Sequence, residues 1–206
     1  RHPARVLRAQ GRRQQPRVVV ALHHPQRVLF HVFARHKPGG VLARAAQTAG
    51  HALRLSHLHD LSFDADFGFG GYKEVKPLEP VLEQTLDSLR WSEHLVVLAP
   101  MWWGGLPAKL KGLIDRILLP GTGFDPRNIK YGFPAPLLSG RSARVIITSD
   151  TPDWYFRLAY RSALKTQLRG QIFGYVGIKP MRMTHFSGAS HPAPKTIERW
   201  SRRVAH

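Results

Sequence analysis

The chain contains no cysteine at all. Disulfide staples, thiol nucleophiles and cysteine-ligated metals are therefore excluded. This suits a reducing compartment, and a cytoplasmic setting is expected. Nor does any run approach the roughly 18 consecutive apolar residues that a membrane-spanning helix requires. No apolar stretch follows the basic start, so a secretory leader is not expected. Acidic residues are scarce: 13 Asp and Glu face 31 Lys and Arg, a net charge of +18. A charge this large suggests an anionic partner such as nucleic acid. It is spread along the chain, however, and reads better as a solvated basic surface than as a nucleic-acid site. The densest basic segment is 1–16, where arginines alternate with glutamine and proline. It is expected to be a disordered extension, ahead of one domain over 17–206.

Within that domain, four short runs rich in Val, Ile and Leu read as buried parallel strands: Arg17–Leu22, Ala52–Ser56, His94–Ala99 and Ala143–Thr148. A weaker fifth is Met181–Phe186. Helical patterns fall between them. Val81, Leu82, Leu86 and Leu89 share one face, and Leu106, Leu110, Leu113 and Ile117 another. A long third helix is expected through Trp154, Leu158, Leu164, Leu168 and Ile172, and a last one through Ile197, Trp200 and Val204. This alternation predicts an α/β fold, a doubly wound five-stranded parallel sheet of order 2-1-3-4-5. Segments 59–80 and 120–141 are rich in glycine and proline and read as long loops.

The third strand runs into Pro100-Met-Trp-Trp-Gly-Gly-Leu-Pro107, and a helix follows at once. Pro100 forces an extended exit from the strand. Gly104 and Gly105 let backbone amides approach a ligand closely. Trp102 and Trp103 offer broad faces for stacking. The alternative is two core tryptophans beside an ordinary turn. His57-x-His59-Asp60 lacks a second metal-ligating motif and reads as a polar strand end. No Gly-x-Gly-x-x-Gly, Walker loop or Gly-x-Ser-x-Gly is present.

The stretch from Pro100 to Gly121 closely resembles the signature of flavodoxin-fold NAD(P)H:quinone oxidoreductases, the group that includes flavoproteins like modulator of drug activity B. Ala21-Leu-His-His-Pro25, Ala49-Gly-His-Ala-Leu53, Thr148-Ser-Asp-Thr-Pro-Asp-Trp-Tyr155 and Thr184-His-Phe186 resemble other family segments. The resemblance covers about 17–204. It implies a bound flavin, FMN or FAD, across the carboxyl ends of the strands. Pro100, Met101, Trp102, Trp103 and Gly104 would hold one side of the ring, and Thr148, Ser149 and Asp150 the other. His24 would lie near the flavin phosphate. Trp103 and Phe124 would wall the substrate cavity, and Tyr155 would act as its catalytic hydroxyl. NAD(P)H would deliver hydride through the flavin to a quinone, one cavity serving both in ping-pong fashion. A homodimer is also implied.

The resemblance breaks at 26–40. The family places a hydroxyl and an Asn after its His-Pro and then an unbroken helix, whereas this chain has Gln26 and then Pro38-Gly39-Gly40. An interior proline alone opposes a helix by about 3 kcal/mol. Three readings stay open. Arg27, His31, Arg35 and Lys37 hold the phosphate differently; the loop has lost flavin binding; or the segment reflects a reading-frame error. Two other functions stay open with them: a flavin-poor ancillary relative, akin to subunits of potassium-efflux systems, and a basic nucleic-acid binder.

Overall fold

A computed structural model describes residues 27–32, 37–68 and 75–205. The basic extension 1–16, the expected strand Arg17–Leu22 and His24 lie outside the described residues. Inside them, five parallel strands form one sheet: β1 (Arg27–Val32), β2 (Ala52–His57), β3 (His94–Pro100), β6 (Ser142–Ser149) and β7 (Met181–Ser187). Their order is β2-β1-β3-β6-β7. Counted among themselves, the five follow 2-1-3-4-5, the doubly wound order.

The position next to β2 and β3 belongs to Arg27–Val32, with Val28 opposite Leu53 on one side and His94 on the other. This corrects the expectation that 17–22 fills it. It also changes the meaning of Pro38-Gly39-Gly40. Helix α1 spans Lys37–Thr48, so the proline stands in its first turn. There the missing N–H has no helical partner to lose. The helix starts at this tripeptide instead of breaking on it. Arg27 is at the opposite edge of the sheet from the strands' carboxyl ends. It lies at the amino end of β1, where its guanidinium bonds Glu93 at 3.0 Å and its backbone N–H donates to the same carboxylate at 3.1 Å.

Both faces of the sheet are covered, which is why the strands read as continuous apolar runs. On one face, Leu95, Val97, Ala99, Val145 and Ile147 pack against α2 (Pro80–Trp91) and α3 (Ala108–Ile117). On the other, Val28, Val96, Ile146 and Phe186 pack with Ala46 of α1 and Trp200 of α6 (Pro194–Ala205). The Phe186 and Trp200 rings stack at 4.9 Å.

Two expectations about regular structure are corrected. Segment 120–141 holds a hairpin, β4 (Phe124–Lys130) and β5 (Phe133–Pro136). Its turn, Tyr131-Gly132, has φ of 53° and 80°, the double-positive geometry that suits a two-residue hairpin. Pro126, Pro134 and Pro136 hid it, because proline argues against strand; here the register is irregular between Asp125 and Ile129, and a lone two-stranded ribbon tolerates the missing donors. The long third helix is three pieces: α4 (Asp153–Leu158), α5 (Ala163–Thr166) and a π turn over Gln167–Ile172. Arg161 and Ser162 both take left-handed φ, 47° and 50°, and no helix continues through two such residues.

The loop after β2 is anchored from below by a fully buried arginine. Arg116 of α3 donates to Glu79 Oε2 at 2.8 Å and Pro77 O at 2.8 Å, and also to the carbonyl of Asp64. Burial pushes the Glu79 carboxyl up, but backbone N–H donors and Arg116 outweigh it and hold the group below its usual value. Gly112, one turn earlier, lets Ala65 lie against α3; a Cβ there would meet the Ala65 methyl at 2.6 Å. Replacing Arg116 with Met should lower unfolding free energy by about 3 kcal/mol or more. A urea titration showing a loss below about 1 kcal/mol would mean that the fork contributes no more than a surface pair.

On the opposite face, His94 Nδ1 sits 2.7 Å from Ser142 Oγ. Burial, with repulsion from Arg144, His51 and Arg182, pulls its pKa down to about 4. The unfolded chain takes up this proton near pH 6.5 while the folded chain resists until about pH 4. Stability should therefore be complete above about pH 6.5 and decline as pH falls to about 4, by at most about 3 kcal/mol. His94→Gln should flatten that part of the curve; an unchanged slope would show that other groups govern it.

Candidate active site

β3 pairs with β6 up to its own last residue, with Pro100 opposite Thr148. Pairing continues one residue further: Met101 N–H donates to Thr148 O at 2.8 Å. The two connections then separate, one toward α3 and one toward α4. In an open α/β sheet, ligands bind where neighbouring connections diverge at the carboxyl edge.

The first connection turns back at once. Trp102 N–H donates to Gly105 O at 3.0 Å and Gly105 N–H to Trp102 O at 2.9 Å. Trp103 and Gly104 form the corner, with φ of 51° and 75°. Gly104 needs its missing Cβ for that φ; a left-handed tryptophan carries strain of about 1–2 kcal/mol, of the kind that gathers at functional sites. Gly105 has ordinary φ, so the required glycine is Gly104 alone of the pair. Met101 is buried, Trp102 is half exposed and the Trp103 indole is fully exposed. Neither indole is a core residue. Open space surrounds Gly104, with no atom within 4 Å of where a Cβ would stand.

Across from this turn lies the segment after β6. Between them is a cleft of about 490 Å³, lined by Met101, Trp103, Gly104, Thr151, Phe156 and Tyr160, and closed below by Ala163 and Leu164. Its size suits a small planar ligand. The walls are flat and aromatic, the Gly104 backbone is uncovered, and no carboxylate lines it. These features fit a three-ring heterocycle.

The structure brings Met101, Trp103 and Gly104 to the cleft, while Pro100, Trp102 and Thr148 are not in its lining. Ser149 sits behind its wall, joined to Thr151 N–H at 3.2 Å. Asp150 faces away: its carboxylate accepts Ser190 N–H at 2.9 Å and the Ser190 hydroxyl, and those bonds hold its pKa below the usual range. It clasps the loop after β7. Tyr155 lies outside the lining and packs edge-on against Tyr160 at 5.0 Å. Phe124 begins the hairpin and meets Tyr175 edge-on at 5.3 Å, also outside the lining. Sequence reasoning missed Thr151, Phe156 and Tyr160. Tyr160, still nearly half exposed, lies on the cleft wall just past the end of α4, a break that helical periodicity does not announce.

The pattern defining the flavodoxin-like fold family matches residues 36–205. The chain belongs to that family. An FMN-dependent NADH:quinone oxidoreductase of Ruegeria pomeroyi is 47% identical over 122 residues, covering 51% of this chain and 58% of that protein. An uncharacterized NAD(P)H oxidoreductase of Haemophilus influenzae is 28% identical over 106 residues, 51% of each. The chain thus spans just over half the length of these relatives. Among solved structures, an NAD(P)H:quinone oxidoreductase from Methanothermobacter marburgensis superposes with a TM-score of 0.71 at 18% identity, over 88% of this chain and 94% of the other. An FMN-dependent NADH-azoreductase from Bacillus anthracis, in complex with FMN, gives 0.62 at 15%, over 87% and 96%. These two likenesses concern the fold. No helix among the described residues is long and apolar enough to cross a membrane.

Trp103→Gly should leave the fold as stable as before or up to about 1 kcal/mol more stable, because the corner's strain is relieved. A thermal melt checks this. A clear drop in melting temperature would show that the indole packs in the core.

Proposed function

We propose that this chain is a flavin-dependent NAD(P)H oxidoreductase with a quinone or a similar flat electrophile as acceptor. The observation that carries the reading is the aromatic cleft between the Trp102–Gly105 turn and the segment after β6, set where the third and fourth sheet strands end. FMN is the flavin form proposed, since the Ruegeria pomeroyi relative is described as FMN-dependent and the Bacillus anthracis structure holds FMN.

Met101, Trp103 and Gly104 would hold one side of the ring and Thr151 the other, with Thr148 and Ser149 shaping the strand end beneath. Bound flavin would supply the hydride chemistry, accepting from NAD(P)H and passing the pair on. The protein's part is orientation and exclusion of water. The Trp103 indole, projecting beside the opening, would flank whichever flat reactant enters. Tyr160, on the cleft wall, has a hydroxyl suited to donate to an acceptor oxygen as charge develops there; Tyr155, packed behind it, supports that ring. His24 and Phe124 keep the roles proposed from the resemblance, near the flavin phosphate and at the substrate opening.

A homodimer belongs to the same reading. Trp103, Tyr131, Phe133, Trp154 and Leu158 are all more than 60% exposed, and a partner covering them would bury apolar area that solvent now meets. A cytoplasmic setting, with its supply of NAD(P)H, is also part of the proposal.

The test is anaerobic. Protein reconstituted with FMN and mixed with NADH or NADPH should lose its flavin absorbance, and adding a quinone should restore it. Reconstituted protein that keeps its colour with both reductants would remove the enzymatic reading.

A further inference from the structure

The ends of β6 and β7 lie in register, with Ile147 opposite His185 and Ser149 opposite Ser187. On the face under α4, their side chains join into a chain. Ser149 Oγ is 2.8 Å from His185 Nε2. His185 Nδ1 is 3.2 Å from Asp153 Oδ1, and Asp153 Oδ2 accepts from Arg157 Nη2 at 2.7 Å. The imidazole is almost wholly buried, with the Phe156 ring tilted over it at 4.7 Å.

The directions of these bonds follow by elimination. Asp153, as a carboxylate paired with Arg157, only accepts, so His185 Nδ1 carries the hydrogen. Nε2 of the neutral ring is then an acceptor, and the Ser149 hydroxyl donates to it. A lone pair of Ser149 Oγ accepts Thr151 N–H at 3.2 Å. Thr151 and Phe156 both line the cleft, so the chain ends on the cleft wall. The charged groups joined to the ring by these bonds are Asp153 and, through it, Arg157, both of α4. Asp150, on the turn after β6, is taken up by Ser190. Serine, histidine and aspartate in this order also serve acyl transfer. Here Thr151 N–H occupies the serine oxygen and Phe156 covers the ring, so the arrangement suits positioning, not attack.

We propose that Ser149, His185 and Asp153 form a positioning relay that sets the turn at 149–151 in its flavin-receiving shape, with His185 deciding where the Ser149 hydroxyl points. This rests on the flavin reading above. His185 touches neither flavin nor substrate in this account; it acts through Ser149 and Thr151.

The test is a double-mutant cycle on the full chain. FMN is titrated into apoprotein and flavin fluorescence followed for wild type, Ser149→Ala, His185→Phe, the double variant and Asp153→Asn. Phe keeps the ring volume beside Phe156. Each single change should weaken FMN binding by about tenfold, and the double change no more than either single one. His185→Gln, able to donate or accept, should recover part of the affinity, and it replaces His185→Phe in the cycle if the latter fails to fold. Additive losses, or no recovery in His185→Gln, would overturn the relay and leave the flavin reading intact. Wild-type apoprotein that binds no FMN would overturn both.

Discussion

The site depends on one backbone hydrogen bond, from Met101 N–H to Thr148 O. It extends the parallel pairing of β3 and β6 one residue past Pro100, which has no N–H of its own to give. The two connections therefore leave the sheet from the same level and diverge from a shared edge. Everything lining the cleft is placed by that divergence. The Trp102–Gly105 turn can fold back tightly because the residue before it, Met101, is pinned, and the segment after β6 can climb away into α4 because Thr148 is held opposite.

Strain and anchoring are divided between the two sides. On the β3 side, Trp103 holds a left-handed backbone conformation with its indole in solvent, an arrangement that stability alone does not favour. The rigid pieces around it supply the support. Leu110, Leu113 and Ile117 of α3 are buried in the main core, and Arg116 ties α3 to the loop that follows β2. On the β6 side, Asp150 clasps Ser190 and His185 bridges Ser149 to Asp153. Both walls are thus fixed from behind by polar contacts, while the surface facing the cleft stays apolar and aromatic. That separation suits a flat heterocycle, whose orientation comes from shape and a few backbone groups.

Much of this was legible in the residues. Runs such as Leu95–Ala99 and Ala143–Thr148 have no alternation because helices cover both faces, and their spacing implied the doubly wound sheet. The Trp-Trp-Gly-Gly turn marked the site, although composition could not say which glycine takes positive φ. What stayed hidden has physical causes. Arg27–Val32 mixes charged and apolar residues, and the cleaner run at 17–22 outshone it as a strand. Pro38-Gly39-Gly40 looked like a break because its place in the helix depends on where the strand before it ends. The hairpin at 124–136 was masked by its prolines. Tyr160 and Phe156 were lost to an assumed long helix, since the reversal at Arg161 and Ser162 uses residues that do not favour left-handed φ. The chain of Ser149, His185 and Asp153 spans two strands and a helix, and no local pattern reports such a meeting.

The central claim is that the cleft beside Gly104 is shaped for a flavin ring. A crystal structure of the protein grown with FMN tests it most directly. The account predicts the ring lying between Trp103-Gly104 and Thr151, with the sheet order and both connections unchanged. A ring bound elsewhere, or the indoles of Trp102 or Trp103 filling the cleft in its place, would contradict it.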